Sequence, residues 1–219
     1  MTTFRLAGAV LAAILYAILP TSAGAAESAL TRAQALQRLS DADAARRREA
    51  VARLGDVGVM EDAKALVAQL RDTDEETRAG AEESLWKIWA RSGDEKVDAL
   101  YRQGIRQMNE GLAKDAVATF SRIIKMKPAF AEAWNKRATL YFLMGEHQKS
   151  LADCNEVMKR NPYHFGALAG YFQIYVQMED FERALKFGRR ALEVNPNMDG
   201  VRNGVEAIER MLARNRHVV

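Results

Sequence analysis

The sequence has few of the residues on which enzymes and metal sites depend. Among its 219 residues it has a single cysteine, Cys154, and three widely separated histidines, His147, His164 and His217. A single cysteine excludes an internal disulfide, and no histidine has a cysteine or carboxylate at metal-site spacing. Phosphate-binding glycine loops and nucleophile motifs are also missing. We therefore expect no catalytic residue, no metal and no cofactor, and we do not predict an enzyme. His164 follows an Asn-Pro turn and is expected to be exposed.

Net charge and proline are scarce as well. The formal net charge is +3, which is too small to indicate nucleic-acid binding, so we expect no nucleic-acid partner. Only four prolines occur. After Pro20, the other three are Pro128, Pro162 and Pro196, each 34 residues from the next. This regular spacing of a rare residue indicates an internal repeat.

Other residue types share the 34-residue interval. Small residues recur at Ala116, Ser150 and Ala184. Within the middle interval, apolar residues at three- and four-residue steps predict two helices, which are separated at Gly145 and ended by Pro162. Each interval therefore predicts an antiparallel helix pair. Because one pair cannot bury its apolar face alone, the pairs are expected to stack into an all-α solenoid.

The pattern resembles the tetratricopeptide repeat family. Three units, 97–130, 131–164 and 165–198, fit its 34-residue pattern within a domain spanning 93–198. Its large fourth position is filled by Leu100, Trp134 and Leu168. Phe172 is too large and Gly188 too small for their positions, and we expect these two to pack against each other. The resemblance implies a right-handed superhelix of antiparallel helix pairs, with residues 199–219 forming a capping helix and a frayed tail.

The resemblance also implies a concave groove that is lined by the first helix of each unit. We select nine candidate partner-binding residues: Tyr101, Ile105, Met108, Asn109, Asn135, Thr139, Phe142, Gln173 and Val176. Apolar anchors beside amides and hydroxyls suit an extended peptide or a short partner helix. The three polar residues of the second and third units gain nothing from burial and should be exposed. Tyr101 and Phe142 fit the core as well as the groove.

The residue types at four positions exclude one form of peptide binding. Chaperone-binding members of the family hold a C-terminal carboxylate with basic residues and an asparagine at fixed positions of the first and third units. This chain has Tyr101, Ile105, Gly166 and Gly170 at those positions. The sequence therefore predicts that this carboxylate clamp is absent.

Residues 1–25 have the pattern of a secretory signal peptide. Arg5 precedes an apolar run at 6–19, and small residues follow at 22–26. We expect cleavage after Ala25, with Ala26 as the alternative. The run is shorter than the roughly 20 residues of a membrane span, so no stable span is expected after cleavage. The predicted location is periplasmic or secreted, and an uncleaved segment would instead be an N-terminal membrane anchor.

Residues 26–92 contain a second repeat with a period of 31. Asp41 and Arg47 return as Asp72 and Arg78, and leucines and alanines around them recur at the same step. This resembles HEAT-like repeats of the phycobilisome-lyase type. We expect Thr73 and a glutamate three residues later to form a capping box. The short joint at 92–94 predicts that both arrays form one continuous stack, with Trp86, Ile88 and Trp89 docking on the first helix after the joint.

These features predict an exported helical scaffold that binds a protein or peptide, with a role in envelope assembly, secretion or complex organisation. Two alternatives stay open. The repeats can mediate homo-oligomerisation, with the groove filled by a second copy. The N-terminal repeats can also dock the protein onto an enzyme as an accessory subunit.

Overall fold

The computed structural model describes residues 29–216, which form eleven α-helices joined by short connections. The N-terminal helices are α1 (Arg32–Arg38), α2 (Ala44–Val57), α3 (Ala63–Gln69) and α4 (Glu75–Trp89), with a 3₁₀ turn at Met60–Asp62. The remaining helices are α5 (Glu95–Asn109), α6 (Ala113–Met126), α7 (Ala131–Leu143), α8 (His147–Arg160), α9 (Phe165–Gln177), α10 (Phe181–Val194) and α11 (Asp199–Arg216). The predicted signal peptide and residues 217–219 lie outside the described residues.

The helices of the three 34-residue units pack as a solenoid. Within the units α5 packs on α6, α7 on α8 and α9 on α10, and each second helix also contacts the next first helix. Helices α7, α9 and α11 begin at Ala131, Phe165 and Asp199, so α11 takes the place of the first helix of a further unit. The prediction of an all-α solenoid of helix pairs is confirmed. No strand occurs in residues 29–216, nor any helix long and apolar enough to cross a membrane.

Close helix packing depends on glycines that face aromatic rings. A Cβ on Gly104 would lie 2.6 Å from Cζ of Phe120. A Cβ on Gly188 would lie 2.8 Å from Cδ2 of Phe172, and one on Gly204 would lie 2.7 Å from Cζ of the same ring. The expected contact between Phe172 and Gly188 is therefore present. The large ring is accommodated because both helices around it carry glycine.

The N-terminal helices repeat one turn at the 31-residue interval. Arg47 donates to the carbonyl oxygen of Asp41 at 2.9 Å, and Arg78 donates to that of Asp72 at 2.9 Å. Arg47 also forms two 2.7 Å hydrogen bonds to the Asp72 carboxylate. The Arg47 guanidinium therefore links the first turn to the second, and the Arg47–Asp72 ion pair is largely buried.

The capping of α4 differs from the sequence prediction. The cap is Asp74, whose carboxylate accepts the N–H of Thr77 at 2.8 Å, so the predicted capping box of Thr73 and Glu76 is wrong. The Asp72 carboxylate accepts the N–H of Asp74 at 2.8 Å. This bond fixes the turn so that the helix begins one residue later than predicted.

Helices α1–α4 do not extend the solenoid as one continuous stack. Trp86 and Trp89, at the end of α4, pack on His164 and Phe165 at the start of α9, with ring centroids 4.5–5.4 Å apart. A Cβ on Gly166 would lie 2.6 Å from the Trp86 ring, so this glycine permits the contact. The predicted docking of the tryptophans on α5 is replaced by docking on the turn before α9.

Polar contacts extend this interface to the end of the solenoid. The Asn195 amide donates to the Glu82 carboxylate at 3.0 Å, and the Asn197 amide donates to the Leu70 carbonyl at 2.8 Å. At the other end, the Lys127 ammonium donates to the Ser92 carbonyl. The N-terminal helices therefore lie across the edge of the solenoid that is formed by the three proline-containing turns. The indole rings require a large apolar contact area, and these turns supply it.

Candidate functional site

A groove runs across the first helices of the second and third units and α11. It consists of two adjoining cavities of about 130 and 390 Å³ that share Phe142 and Gln173. The smaller cavity lies between α7 and α9, with Asn135, Thr139 and Gly170 in its wall. The larger one lies between α9 and α11, with Val176 and Ile208 in its wall. We call these two cavities together the concave groove.

The concave groove is lined without a single charged side chain. Small residues form part of its lining, at Ala138, Ala169, Gly170 and Ala207. Exposed Gln173 offers an amide at the boundary of the two cavities. Such a lining can bury apolar side chains of a partner and hydrogen-bond its main chain, whereas it offers no countercharge to an ionised group.

Five of the nine predicted site residues meet in the groove. They are Asn135, Thr139, Phe142, Gln173 and Val176. The four from the first unit line neither cavity. Tyr101 is buried in the core between α5 and α6, where Ile105 and Met108 also pack, and Asn109 is exposed at the end of α5. Of the two positions expected for Tyr101, core or groove, the structure shows the core, because the ring packs between Phe120 and Phe130.

The predicted exposure of the polar groove residues is correct for two of three. Thr139 and Gln173 are exposed. Asn135 is only 7% exposed, so its predicted exposure is wrong. Its amide donates to both carboxylate oxygens of Glu132, at 3.1 and 3.2 Å. Burial of the asparagine is tolerated because a carboxylate one helical turn away satisfies its donors.

Glu132 is the centre of a buried polar network beside the groove. Its carboxylate is 2.8 Å from Nε2 of His164 and 3.0 Å from the Lys136 ammonium. Burial alone would raise the pKa of this carboxyl, but hydrogen bonds from His164 and Lys136, together with the positive charge of Lys136, lower the pKa to about 2. Glu132 is therefore ionised at neutral pH.

His164 is fully buried, and its predicted exposure is wrong. Its Nδ1 accepts the N–H of Ala167 at 3.0 Å and caps α9, so Nε2 carries the proton that is donated to Glu132. The ring also stacks on Trp89. Sequence reasoning missed this network because Glu132 and His164 are 32 residues apart, at opposite ends of the second unit.

The chemistry of the remaining candidate groups is limited. Cys154 is buried as expected, and burial raises the pKa of its thiol to about 12, so the thiolate is not formed at neutral pH. Within residues 29–216, no group of three metal-ligating side chains is close enough to hold an ion.

Solved structures of repeat domains resemble the solenoid part of the chain. One is the first TPR domain of Spaghetti, bound to the HSP90 peptide SRMEEVD. Its TM-score is 0.52 at 23% identity, over 54% of this chain and 94% of that one. Another is the Sgt2 TPR domain from Aspergillus fumigatus, with a TM-score of 0.53 at 20% identity, over 57% of this chain and 83% of that one. At these identities the likeness shows the fold alone.

Sequence comparisons give the family. The tetratricopeptide repeat model matches residues 131–164 and 173–198. The small glutamine-rich tetratricopeptide repeat-containing protein of Dictyostelium discoideum is 27% identical over 126 residues, which cover 57% of this chain and 38% of that protein. A TPR repeat-containing protein of Rhizobium etli is 31% identical over 152 residues, which cover 69% of this chain and 74% of that protein. The chain belongs to the tetratricopeptide repeat family.

Proposed function

We propose that this protein is a scaffold that binds a segment of a protein partner in the concave groove. The observation that carries the proposal is the uncharged lining across α7, α9 and α11, where small residues leave space beside Phe142 and Val176. The described relative bound to an HSP90 peptide supports peptide binding by this fold.

The lining also defines the chemistry of the partner segment. The peptide SRMEEVD of the solved relative has three acidic residues. No cation lines the concave groove here, and Gly166 and Gly170 stand where clamp residues are expected in chaperone-binding members. We therefore infer a partner segment whose inserted side chains are apolar and uncharged, held further by hydrogen bonds from Gln173.

Site-specific photo-cross-linking tests the groove. A benzophenone amino acid in place of exposed Gln173 should capture the partner in intact cells, because this position lies between the two cavities. Glu182 is exposed on α10, outside the groove, and is the matched control position. We expect the Gln173 adduct to exceed the control severalfold. Equal adducts from both positions would reject the groove.

Self-association is the second candidate, and exposed apolar residues favour it. Leu143 is 71% exposed and Met178 is 39% exposed, both at the ends of first helices that line the groove. Exposed apolar side chains of this kind are available for contact with a second copy, and large apolar patches mark protein–protein interaction sites. If the Gln173 adduct contains a second copy of the chain, and the mass from light scattering grows with concentration, the groove is a homo-oligomer interface.

We further propose that the protein is exported and that residues 26–92 form HEAT-like repeats. The proposed repeats are supported by the turn of Arg47 that recurs at Arg78. Export is supported by the apolar run at 6–19 with its small-residue cleavage site.

Sequencing of the N-terminus tests export. Protein recovered from the periplasm of a Gram-negative host should begin at Ala26, because cleavage after Ala25 fits the small-residue rule. The variant Leu15→Arg, with a charge in the apolar run, should accumulate uncleaved in the cytoplasm. Recovery of the unprocessed parent chain from the cytoplasm would contradict the proposal, and unprocessed chain in the membrane fraction would indicate an anchor.

A further inference from the structure

A separate cavity, away from the concave groove, lies where the N-terminal helices meet the solenoid. It has a volume of about 180 Å³ and is lined in part by Trp89, Arg91, Lys127, Phe130, Arg160 and Asn161. We call it the junction cavity. None of its lining residues lines the concave groove. Its walls combine three cations with aromatic rings, and no carboxylate lines it.

Two buried hydrogen-bond donors in these walls lack a partner. The indole N–H of Trp89 and the amide NH₂ of Asn161 make no hydrogen bond within residues 29–216, although the two residues are 3% and 1% exposed. Buried donors are nearly always satisfied in folded proteins, and each one left alone has a free-energy cost. Both unsatisfied groups are donors, so the missing partner is an acceptor.

The repeat itself shows what kind of acceptor fits Asn161. Asn195 occupies the equivalent position of the next unit, and both side-chain oxygens accept the N–H two residues later, at 3.1 and 3.0 Å. The amide of Asn195 donates to the carboxylate of Glu82 at 3.0 Å. The amide of Asn161 donates to no such carboxylate within residues 29–216.

The electrostatics of the junction cavity favour a negative charge. Within the described residues, Arg91 and Lys127 form no ion pair and donate only to main-chain carbonyls. Arg160 is paired with Glu156. The cavity also contains the start of α7, whose cap Phe130 supplies no side-chain acceptor. A helix N-terminus of this kind leaves backbone N–H groups free and carries partial positive charge.

We propose that the junction cavity binds a carboxylate attached to an apolar group. The carboxylate would take the place at Asn161 that Glu82 takes at Asn195, near Lys127 and the start of α7. The apolar group would pack on Trp89 and Phe130. Two sources share this chemistry: a small free carboxylic acid, and the C-terminal residue of a peptide.

Calorimetric titration of the full chain distinguishes these sources. The probes are 4-phenylbutyrate, a pentapeptide that ends in phenylalanine, and the same pentapeptide with an amidated C-terminus. We expect saturable binding of at least one of the two free acids. If the free-acid peptide binds, the amidated peptide should bind at least about tenfold more weakly. Binding of phenylbutyrate alone assigns a small acid, and binding of the free peptide alone assigns a chain terminus.

Two variants with matched controls locate the site. Asn161→Asp keeps the oxygen that accepts the N–H of Tyr163 but replaces the donor by a negative charge, and Lys127→Gln removes a cation. Each should weaken binding about tenfold or more. The controls Asn109→Asp and Lys125→Gln make the same changes at exposed positions and should bind as the parent does. Melting followed by circular dichroism checks that each variant is folded.

Three results would overturn the proposal. They are the failure of both free acids to bind, unchanged binding in both Asn161→Asp and Lys127→Gln, and tight binding of inorganic phosphate without any binding of the carboxylates. A Gln173→Arg variant separates this site from the proposed function. It should disturb partner capture in the concave groove and leave titration of the junction cavity unchanged.

Discussion

Glu132→Gln is expected to lower the free energy of unfolding at pH 7 by about 3–5 kcal/mol, the usual cost of breaking a buried ion pair. The carboxylate accepts from His164, Asn135 and Lys136 at once. An amide has one acceptor oxygen, and its NH₂ group would face other donors. Urea denaturation followed by circular dichroism measures the loss.

The same variant should also change how stability depends on pH. The pKa of Glu132 is lowered from 4.5 to about 2 in the folded state, so the unfolded chain takes up this proton first as pH falls. The stabilisation, about 3 kcal/mol, is complete above pH 4.5 and is lost between pH 4.5 and 2. Glu132→Gln should lack this part of the acid sensitivity.

A surface glutamate provides the control for this prediction. Glu156 pairs with Lys159 and Arg160 on its own helix, so Glu156→Gln should change stability by no more than about 1 kcal/mol. A Glu132→Gln protein that is as stable as the Glu156→Gln protein at pH 7 would contradict the role given to the buried network.

Trp89→Ala is expected to lower the free energy of unfolding by about 3–5 kcal/mol, as for other buried aromatic residues. Trp89 is 3% exposed and packs on His164, Phe165 and Trp86. Because these rings join α4 to the solenoid, the variant should also expose the N-terminal helices. Limited proteolysis should then cut within residues 90–94 faster than in the parent.

The control for Trp89 is an apolar residue on the surface. Leu143 is 71% exposed, and Leu143→Ala should change stability by less than about 0.5 kcal/mol and leave proteolysis unchanged. If Trp89→Ala behaves like Leu143→Ala, the tryptophans do not hold the two parts together.

The sequence predicts the solenoid well because its determinants are local and periodic. Prolines and small residues at one interval define where helices end and where they approach closely. The contact of Phe172 with Gly188 is also predictable, because the first is larger and the second smaller than the repeat pattern requires. The same logic identifies five groove residues, since each lies at a fixed position of its helix.

The parts that were wrong depend on contacts between distant segments. Asn135 and His164 were expected at the surface, and both are buried by partners that no local pattern indicates. Glu132 supplies the acceptor for both, and Trp89 covers the histidine from another part of the chain. The N-terminal repeat and the 34-residue repeat have different periods, so neither pattern predicts how one array packs on the other. The position of α1–α4 on the solenoid could therefore not be predicted.

The position of α4 has a mechanical consequence. Stacked helix pairs flex by small rotations at each turn, and the turns before α7, α9 and α11 are all in contact with residues near or in the N-terminal helices. The N-terminal helices therefore restrain the solenoid along one edge, so that its curvature is fixed before any partner binds. A rigid receptor loses less entropy when it closes on a ligand, so the partner segment that we propose would need fewer contacts to be held.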